Sequence, residues 1–340
     1  PAMIRAAAKN FKYLSVITES ADYPDCISEL QKNKCSTSEK FRSKMAQIAF
    51  SLTASYDALV SSWMAAKFGT LHPRHFVISG RLKDRLRYGE NPHQKAAIYS
   101  SGLKIGKQQK FEQLQGKELS YNNIVDLESA HEIVSAFGYS CDPTAVIVKH
   151  TNPCGIAQAA KVSEAFEAAF NCDSISAFGG IVALNRDVDE ETAAIIIKNF
   201  TEIVVAPGFS PGSIKLFAAK KNIRLIRVNS VLNNLIENNL ISSVSEGFLV
   251  QERNRFILPE AKYKIVSARQ PSVRELNDLM FSWVVVKFVK SNAVVFAKNL
   301  ATVGIGAGQM SRVESTKIAH QKSVEMSKAQ SLKNSMSLGA

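Results

Sequence analysis

Between residues 145 and 228, short apolar runs alternate with segments that have the periodicity of amphipathic helices. The apolar runs occupy residues 145–148, 181–184, 203–206 and 223–228, and the helical segments occupy residues 162–170, 189–200 and 213–220. Such an alternation is typical of βαβ units, in which parallel strands form a sheet and helices cover both of its faces. The sequence therefore predicts an α/β fold with mixed, largely parallel sheets covered by helices. Ligands are expected at the carboxyl ends of the strands.

A long helix is predicted in the N-terminal part of the chain, after a short strand at residues 13–17. Ser36 and Glu39 form a capping-box signature, which marks a helix start. The apolar residues that follow recur at helical spacing, and they are Phe41, Met45, Ile48, Leu52, Tyr56, Leu59, Val60 and Trp63. This spacing predicts one buried face on a helix that ends near Phe68.

The C-terminal part begins with a second capping box, formed by Ser272 and Glu275. It predicts a helix that continues to about residue 289, followed by strands at residues 293–297 and 301–305. Two strands are too few to form a complete sheet of their own. We find no internal repeat in the sequence.

Composition places the chain among folded globular proteins, since 46% of its 340 residues are hydrophobic and 21% are charged. The net charge is +12, but Lys and Arg are dispersed and do not cluster beside aromatic residues. This pattern favours anionic small molecules over nucleic acid as ligands. The five cysteines include no C-x-x-C pair, and no apolar run reaches the roughly 18 residues of a membrane span. We therefore predict a cytosolic protein that binds neither nucleic acid nor membranes.

The segment Lys149-His150-Thr151-Asn152-Pro153-Cys154-Gly155 directly follows a buried-type strand. Histidine exchanges protons near neutral pH, and a neighbouring ammonium group can stabilise a developing oxyanion. The alternative is structural, with a histidine at the strand end and a lysine that reaches solvent. A Cys154 thiolate activated by the imidazole is a second alternative. Zinc deaminases carry H-x-E and a second cysteine, which this segment lacks, so no catalytic metal is predicted.

Two further loops have the composition of binding segments. Residues 85–94 combine arginines, Tyr88 and amide side chains, and Gly and Pro keep this stretch out of a helix, so it either contacts a ligand or forms a solvated turn. Gly304, Gly306 and Gly308 join a strand to a helix, but their spacing fits neither the dinucleotide-binding fingerprint nor a P-loop. Their spacing predicts a tight turn that allows close backbone approach to a ligand.

Six motifs, in order, resemble the PurH family of bifunctional purine-biosynthesis enzymes. They are R-Y-G-E-N-P-H-Q (87–94), V-K-H-T-N-P-C-G (148–155), D-S-I-S-A-F-G-G (173–180), V-V-A-P-G-F (204–209), S-N-A-V (291–294) and G-I-G-A-G-Q-M-S-R (304–312). The resemblance implies transfer of a formyl group from 10-formyltetrahydrofolate, the co-substrate, to aminoimidazole carboxamide ribonucleotide (AICAR). It also implies cytidine-deaminase-like formyltransferase units without zinc, in a homodimer whose subunits complete each other's active sites.

The resemblance also assigns roles to single residues. His150 would transfer the proton, Lys149 would stabilise the transition state, and Val313 would adjoin the folate. The ribonucleotide would be held by Arg87, Tyr88, Gly179, Glu202, Asn292 and Arg312. Lys9 would be a catalytic residue of the IMP cyclohydrolase that the family joins to its formyltransferase.

The domain organisation implied by the resemblance has three parts. Residues 1–75 would be the tail of an MGS-like cyclohydrolase domain, 76–255 a first formyltransferase subdomain and 256–340 an incomplete second one. The chain starts at Pro1 without an initiator Met, so we expect a piece of a longer protein in which the cyclohydrolase remnant is inactive. The alternative function is an inactive fragment that binds a nucleotide or dimerises.

Overall fold

The computed structural model describes residues 1–101, 110–138, 142–228, 239–254 and 263–330. The chain divides into two compact units, which are described separately below. Unit 1 contains Pro1–Arg85 with the described parts of Ala97–Lys107 and Asn234–Gln251, and unit 2 contains the other described residues. The boundaries of these units do not coincide with the predicted domain boundaries at residues 75 and 255. The predicted boundaries refer to the domains of the family and stay a prediction.

The helices of the described residues are α1 (Ala2–Lys9), α2 (Tyr23–Lys32), α3 (Glu39–Lys67), α4 (Tyr121–Ala136), α5 (Val162–Cys172), α6 (Ser174–Ala177), α7 (Glu190–Ile196), α8 (Pro211–Ala218), α9 (Val273–Val286) and α10 (Arg312–Ala329). The strands are β1 (Gly80–Leu86), β2 (Ala96–Ser101), β3 (Phe111–Gln115), β4 (Thr144–Lys149), β5 (Asn152–Gln158), β6 (Gly180–Leu184), β7 (Thr201–Ala206), β8 (Arg224–Val228), β9 (Asn239–Val244), β10 (Gly247–Glu252), β11 (Val294–Lys298) and β12 (Ala301–Gly306). None of these helices is long and apolar enough to cross a membrane.

Unit 1 contains the long helix α3, as predicted, but its cap and its buried face differ from the prediction. The cap is Ser38, whose side chain accepts a hydrogen bond from the Phe41 backbone, instead of Ser36. Phe41 and Met45 of the predicted face are buried. In the C-terminal half, however, Tyr56 (46%) and Trp63 (55%) are exposed, and the smaller residues Thr53 and Ala58 are buried. Ala46 and Ala49 pack with Ala8 of α1. Residues 13–17 are not a strand.

Unit 2 is built on a mixed eight-stranded sheet in the order β11-β12-β5-β4-β6-β7-β8-β3. Helices flank this sheet, which confirms the predicted α/β class. The sheet is less parallel than expected, however. Among the described strands, parallel pairing is confined to β6 with β7 and β7 with β8, and the other neighbouring strands pair antiparallel.

Alternating side chains of the strands pack on the two faces of this sheet. On β4, Ala145 and Ile147 belong to one hydrophobic cluster, and Val146 and Val148 belong to the other. The first cluster is covered by α5, α6, α7 and α8, and the second by α4 and α9. Strands that are buried on both faces consist of continuous apolar residues, so β4 and β6–β8 can be recognised in the sequence as apolar runs.

The antiparallel pairing of β4 comes from a hairpin that the sequence does not predict. Pro153 and Gly155 are typical of turns, so the sequence indicates no strand at these residues. β5 nevertheless begins at Asn152, after a turn of two residues, His150 and Thr151. Pro153 lies in β5 opposite Val148, where the register shifts by a bulge, and a bulge tolerates a residue that has no N–H donor.

A structural repeat relates two parts of unit 2, although no repeat is evident in the sequence. In each part a helix with a capping box precedes a two-residue hairpin turn, and these helices are α4, capped at Ser120, and α9, capped at Ser272. The hairpins are β4–β5 and β11–β12, and β5 pairs antiparallel with β12. The two hairpin turns therefore lie at opposite edges of the sheet. Strands β11 and β12 thus extend the main sheet and do not form a separate layer.

Candidate functional site

A cleft of about 390 Å³ opens beside the predicted catalytic segment in unit 2. Its lining residues are Lys149, His150, Asn152, Pro153, Cys154, Asp173, Ser176, Ile305, Ala307 and Lys322. The cleft lies where β4 ends and β5 begins, next to the end of β12. This edge carries the amino ends of the parallel strands β6, β7 and β8, because β4 runs antiparallel to β6. The candidate cleft therefore does not lie at the carboxyl ends of the parallel strands, although Lys149 and His150 are at the carboxyl end of β4.

Lys149 is half-buried at the end of β4 and is held by the short helix α6. Its Nζ donates a hydrogen bond to the carbonyl oxygen of Phe178, 2.9 Å away. Asp173 caps α6, because its Oδ1 accepts a hydrogen bond of 3.0 Å from the Ser176 backbone. The position of the Lys149 ammonium group thus depends on the α6 turn as well as on its own strand.

His150 is the first of the two residues that turn the chain from β4 into β5. Its φ is 51° and that of Thr151 is 62°, so both residues have the left-handed conformation that tight hairpins require. The backbone N–H groups of these two residues donate to the carboxylate of Asp126 on α4, at 3.2 Å and 2.8 Å. The turn places the exposed imidazole at the cleft.

An ion pair joins Asp173 to Lys322 of α10 at the same cleft. Lys322 Nζ and Asp173 Oδ2 are 2.9 Å apart, and the two side chains are 28% and 13% exposed. Burial raises the pKa of the Asp173 carboxyl, but hydrogen bonds from Ser176 and Lys322 outweigh it, so the pKa lies below its ordinary value. The carboxyl therefore stays ionised and fixes α10 to the α6 turn.

Cys154 does not have the environment of a catalytic nucleophile. Its side chain is buried, and burial raises the pKa of its thiol to about 12. Reactive cysteines have depressed pKa values, since the thiolate is the nucleophile. The structure argues against the alternative in which Cys154 acts as a hydrolase nucleophile.

Two of the residues predicted to hold a ribonucleotide, Gly179 and Glu202, lie along the same edge of the sheet as Lys149. Gly179 precedes β6, and Glu202 lies near the start of β7. Glu202 accepts a hydrogen bond of 2.8 Å from the Asn123 side chain and lies 3.9 Å from the Arg224 guanidinium. Its carboxylate is thus fixed near the start of the parallel strands.

The loop that carries Arg87 and Tyr88 is linked to the start of α4. Asn122 donates a hydrogen bond of 3.3 Å to the backbone oxygen of Glu90 in this loop. The Arg87 guanidinium lies 5.6 Å from the centroid of the Tyr88 ring. Since Asn123 on the same helix contacts Glu202, the loop lies on the side of the edge where Glu202 is.

Asn292, Arg312 and Val313 lie at the other end of this edge. The Asn292 side chain donates a hydrogen bond of 2.9 Å to the Gln309 carbonyl, and Arg312 and Val313 are exposed at the start of α10. Asn292 does not line the cleft. Asn152 does, and its side-chain oxygen accepts a hydrogen bond of 3.0 Å from the Lys290 backbone. Adjacent strands lie about 4.8 Å apart, so the five strand steps from β11 to β7 separate Asn292 and Glu202 by about 24 Å.

The glycines of residues 304–308 have a different role from the one predicted. A Cβ on Gly304 or Gly306 would lie 2.1 Å from the Ala319 oxygen or 1.9 Å from the Ser315 oxygen, both on α10. The close approach that these two glycines allow is therefore between β12 and the helix that covers it. Gly308, with φ +68°, makes the predicted tight turn.

Comparison with known proteins relates these features to a family. The family model "AICARFT/IMPCHase bienzyme" matches residues 7–322, which include every site residue predicted above. The chain belongs to the AICARFT/IMPCHase bienzyme family. Relatives named "Bifunctional purine biosynthesis protein PurH" from Cereibacter sphaeroides, Paracoccus denitrificans and Rhodospirillum rubrum are 48%, 47% and 46% identical to it over 340 residues. The chain spans 64% of the length of each of these relatives.

Some features of this AICARFT/IMPCHase family chain were not predicted from its sequence. Asp126, Asp173 and Lys322 contribute to the cleft from separate elements, and no role was predicted for any of them, although Asp173 begins the motif at residues 173–180. Lys9, predicted for the cyclohydrolase, ends α1 in unit 1 and is exposed. Among the described residues, no group of three or more His, Cys, Asp and Glu side chains could hold a metal ion.

Proposed function

We propose that this chain transfers a formyl group from 10-formyltetrahydrofolate to the amine of AICAR, as a phosphoribosylaminoimidazolecarboxamide formyltransferase of purine biosynthesis. The single observation that carries this proposal is that Lys149 and His150 lie together on one cleft of a member of the AICARFT/IMPCHase bienzyme family. The substrates and the residue roles come from the family resemblance, and the cytosolic location comes from the cysteine content and the lack of a long apolar run.

His150 is the proton acceptor in this proposal. The amine of AICAR is attached to an aromatic ring and is a poor nucleophile, so its attack on the formyl carbon requires loss of a proton. The exposed imidazole at the cleft is free to approach such an amine. A new C–N bond forms as the amine attacks, and the carbonyl oxygen gains the negative charge.

Lys149 stabilises that charge. Its ammonium group lines the same cleft and is oriented by the Phe178 carbonyl, so a developing oxyanion meets a cation that is already in place. The bond from the formyl carbon to the folate nitrogen then breaks, and that nitrogen takes up the proton. Tetrahydrofolate and the formylated ribonucleotide are the products, and no electrons are exchanged.

Arg87, Tyr88, Gly179, Glu202, Asn292 and Arg312 hold the ribonucleotide in this proposal, and Val313 adjoins the folate. Glu202 and Asn292 lie about 24 Å apart along the sheet edge, which is too far for one ribonucleotide to contact both residues of the same subunit. We propose a homodimer in which each subunit completes the other's pocket, as the family resemblance implies. The cyclohydrolase residue Lys9 takes no part in this reaction.

The proposal is tested by mixing the purified chain with AICAR and 10-formyltetrahydrofolate and measuring tetrahydrofolate release, while calorimetry measures AICAR binding. We expect release that requires AICAR and saturates with it. Binding without release would support the alternative, an inactive fragment that only binds the nucleotide. If AICAR does not bind and no tetrahydrofolate is released, the proposed function is contradicted.

A further inference from the structure

We propose that Asp126 is a positioning residue for His150, because it holds the hairpin turn in the conformation that presents the imidazole to the cleft. This inference rests on the proposed role of His150. It assigns no chemistry to Asp126 itself, which acts on the backbone of the turn.

The turn has a conformation that its own residues disfavour. His150 and Thr151 both have positive φ, and neither is glycine. The left-handed region is costly for residues with a Cβ, and Thr151 is β-branched, for which positive φ is a true outlier. Some interaction outside the turn must therefore stabilise it.

The carboxylate of Asp126 supplies that interaction. Its Oδ2 accepts a hydrogen bond of 3.2 Å from the His150 N–H, and its Oδ1 accepts one of 2.8 Å from the Thr151 N–H. Ser129, one helical turn further along α4, donates a hydrogen bond of 3.0 Å to the Thr151 carbonyl. Hydrogen bonds to an ionised acceptor are stronger than neutral ones, so Asp126 is the main stabilising group.

The second hairpin of the structural repeat contains the same arrangement without a histidine. Asn299 and Leu300 have φ of 55° and 56°, and their N–H groups donate to the carboxylate of Asp278 on α9, at 3.0 Å and 2.7 Å. Asp126 and Asp278 each lie six residues after the serine that caps their helix. Because the second turn lies at the opposite edge of the sheet, Asp278 serves as a matched structural control.

The loss of Asp126 is expected to reduce turnover through displacement of the imidazole. Without the carboxylate, the N–H groups of the turn lose their acceptor and Thr151 relaxes from positive φ, which moves His150. A displacement of about 1 Å in a catalytic group can lower the rate about 100-fold. Glycine adopts positive φ without the cost that a Cβ brings. Adding Thr151→Gly to Asp126→Ala should therefore raise kcat about tenfold above that of Asp126→Ala alone.

The experiment compares Asp126→Ala with Asp278→Ala in tetrahydrofolate release, AICAR affinity and thermal unfolding. We expect both variants to lose similar stability, whereas only Asp126→Ala loses about 100-fold in kcat, with its AICAR affinity kept within about threefold. Equal kcat in the two variants, or no recovery with Thr151→Gly, would overturn the proposal.

A measurement that does not need turnover separates this inference from the proposed function. The φ angles of residues 150 and 151 are read from a crystal structure of Asp126→Ala, and we expect at least one of them to leave the left-handed region. If both keep their values near 51° and 62°, Asp126 does not hold the turn and the inference is wrong. A wild-type chain that lacks turnover would contradict the proposed function, and the φ angles would still decide the role of Asp126.

Discussion

His150→Ala is expected to lower kcat for formyl transfer by roughly 10²-fold to 10⁴-fold, the usual contribution of a positioned acid–base group. The amine of AICAR would then have to lose its proton to water. Because the proposed ribonucleotide ligands lie elsewhere along the sheet edge, AICAR affinity should be largely kept. The measurement is tetrahydrofolate release under saturating substrates, with calorimetry for AICAR binding.

The matched control for this variant is Asn299→Ala. Asn299 occupies the equivalent position in the second hairpin, with φ 55° against 51° for His150, but it faces the opposite edge of the sheet. Both substitutions remove an exposed side chain from a left-handed turn position, so their effects on stability should be similar. Turnover of His150→Ala that matches Asn299→Ala would show that the imidazole takes no part in the reaction.

Gly155→Ala is expected to destabilise unit 2 by about 3 kcal/mol or more, at the upper end of the range for overpacked cores. A Cβ on Gly155 would lie 1.9 Å from the backbone oxygen of Ala169 and 3.0 Å from the Cys172 Cβ, both on α5. Backbone atoms of a packed helix cannot move aside as a flexible side chain can. Helix α5 would therefore have to separate from β5.

Chemical denaturation followed by circular dichroism measures this effect. Gly304→Ala should behave similarly, since its Cβ would lie 2.1 Å from the Ala319 oxygen in the other half of the repeat. Glu167→Ala, at an exposed position of α5 itself, should change the unfolding free energy by less than about 0.5 kcal/mol. If Gly155→Ala unfolds like this control, β5 and α5 are not packed as the structure has them.

The sheet of unit 2 was predictable where its strands are buried on both faces. β4, β6, β7 and β8 appear as short apolar runs, and the helices between them have clear periodicity. β5 was missed because it contains Pro153 and Gly155, which are both unusual inside strands. Without β5 the hairpin disappears, and the predicted sheet becomes more parallel than the real one.

The repeat in unit 2 left a weak trace in the sequence. Ser120 and Asp126 have the same spacing as Ser272 and Asp278, but these four residues carry capping and turn contacts and not a hydrophobic pattern. Few other residues coincide in the two segments, so no repeat was evident. The shared geometry of the two turns reveals it.

Lys149 and His150 were found from the sequence because they are adjacent and follow an obvious strand. Asp126, Asp173 and Lys322 act on the same cleft from α4, from the cap of α6 and from α10. Lys322 lies 2.9 Å from Asp173 in space although far from it in sequence. Such contacts depend on the arrangement of the helices around the sheet, which local patterns do not specify.

A crystal structure of this chain with bound AICAR tests the central claim most directly. We predict that the nucleotide occupies the cleft between the β4–β5 turn and the end of β12, with its amine within hydrogen-bond distance of the His150 imidazole and near Lys149 Nζ. AICAR bound away from this cleft, or with its amine directed away from both side chains, would contradict the account.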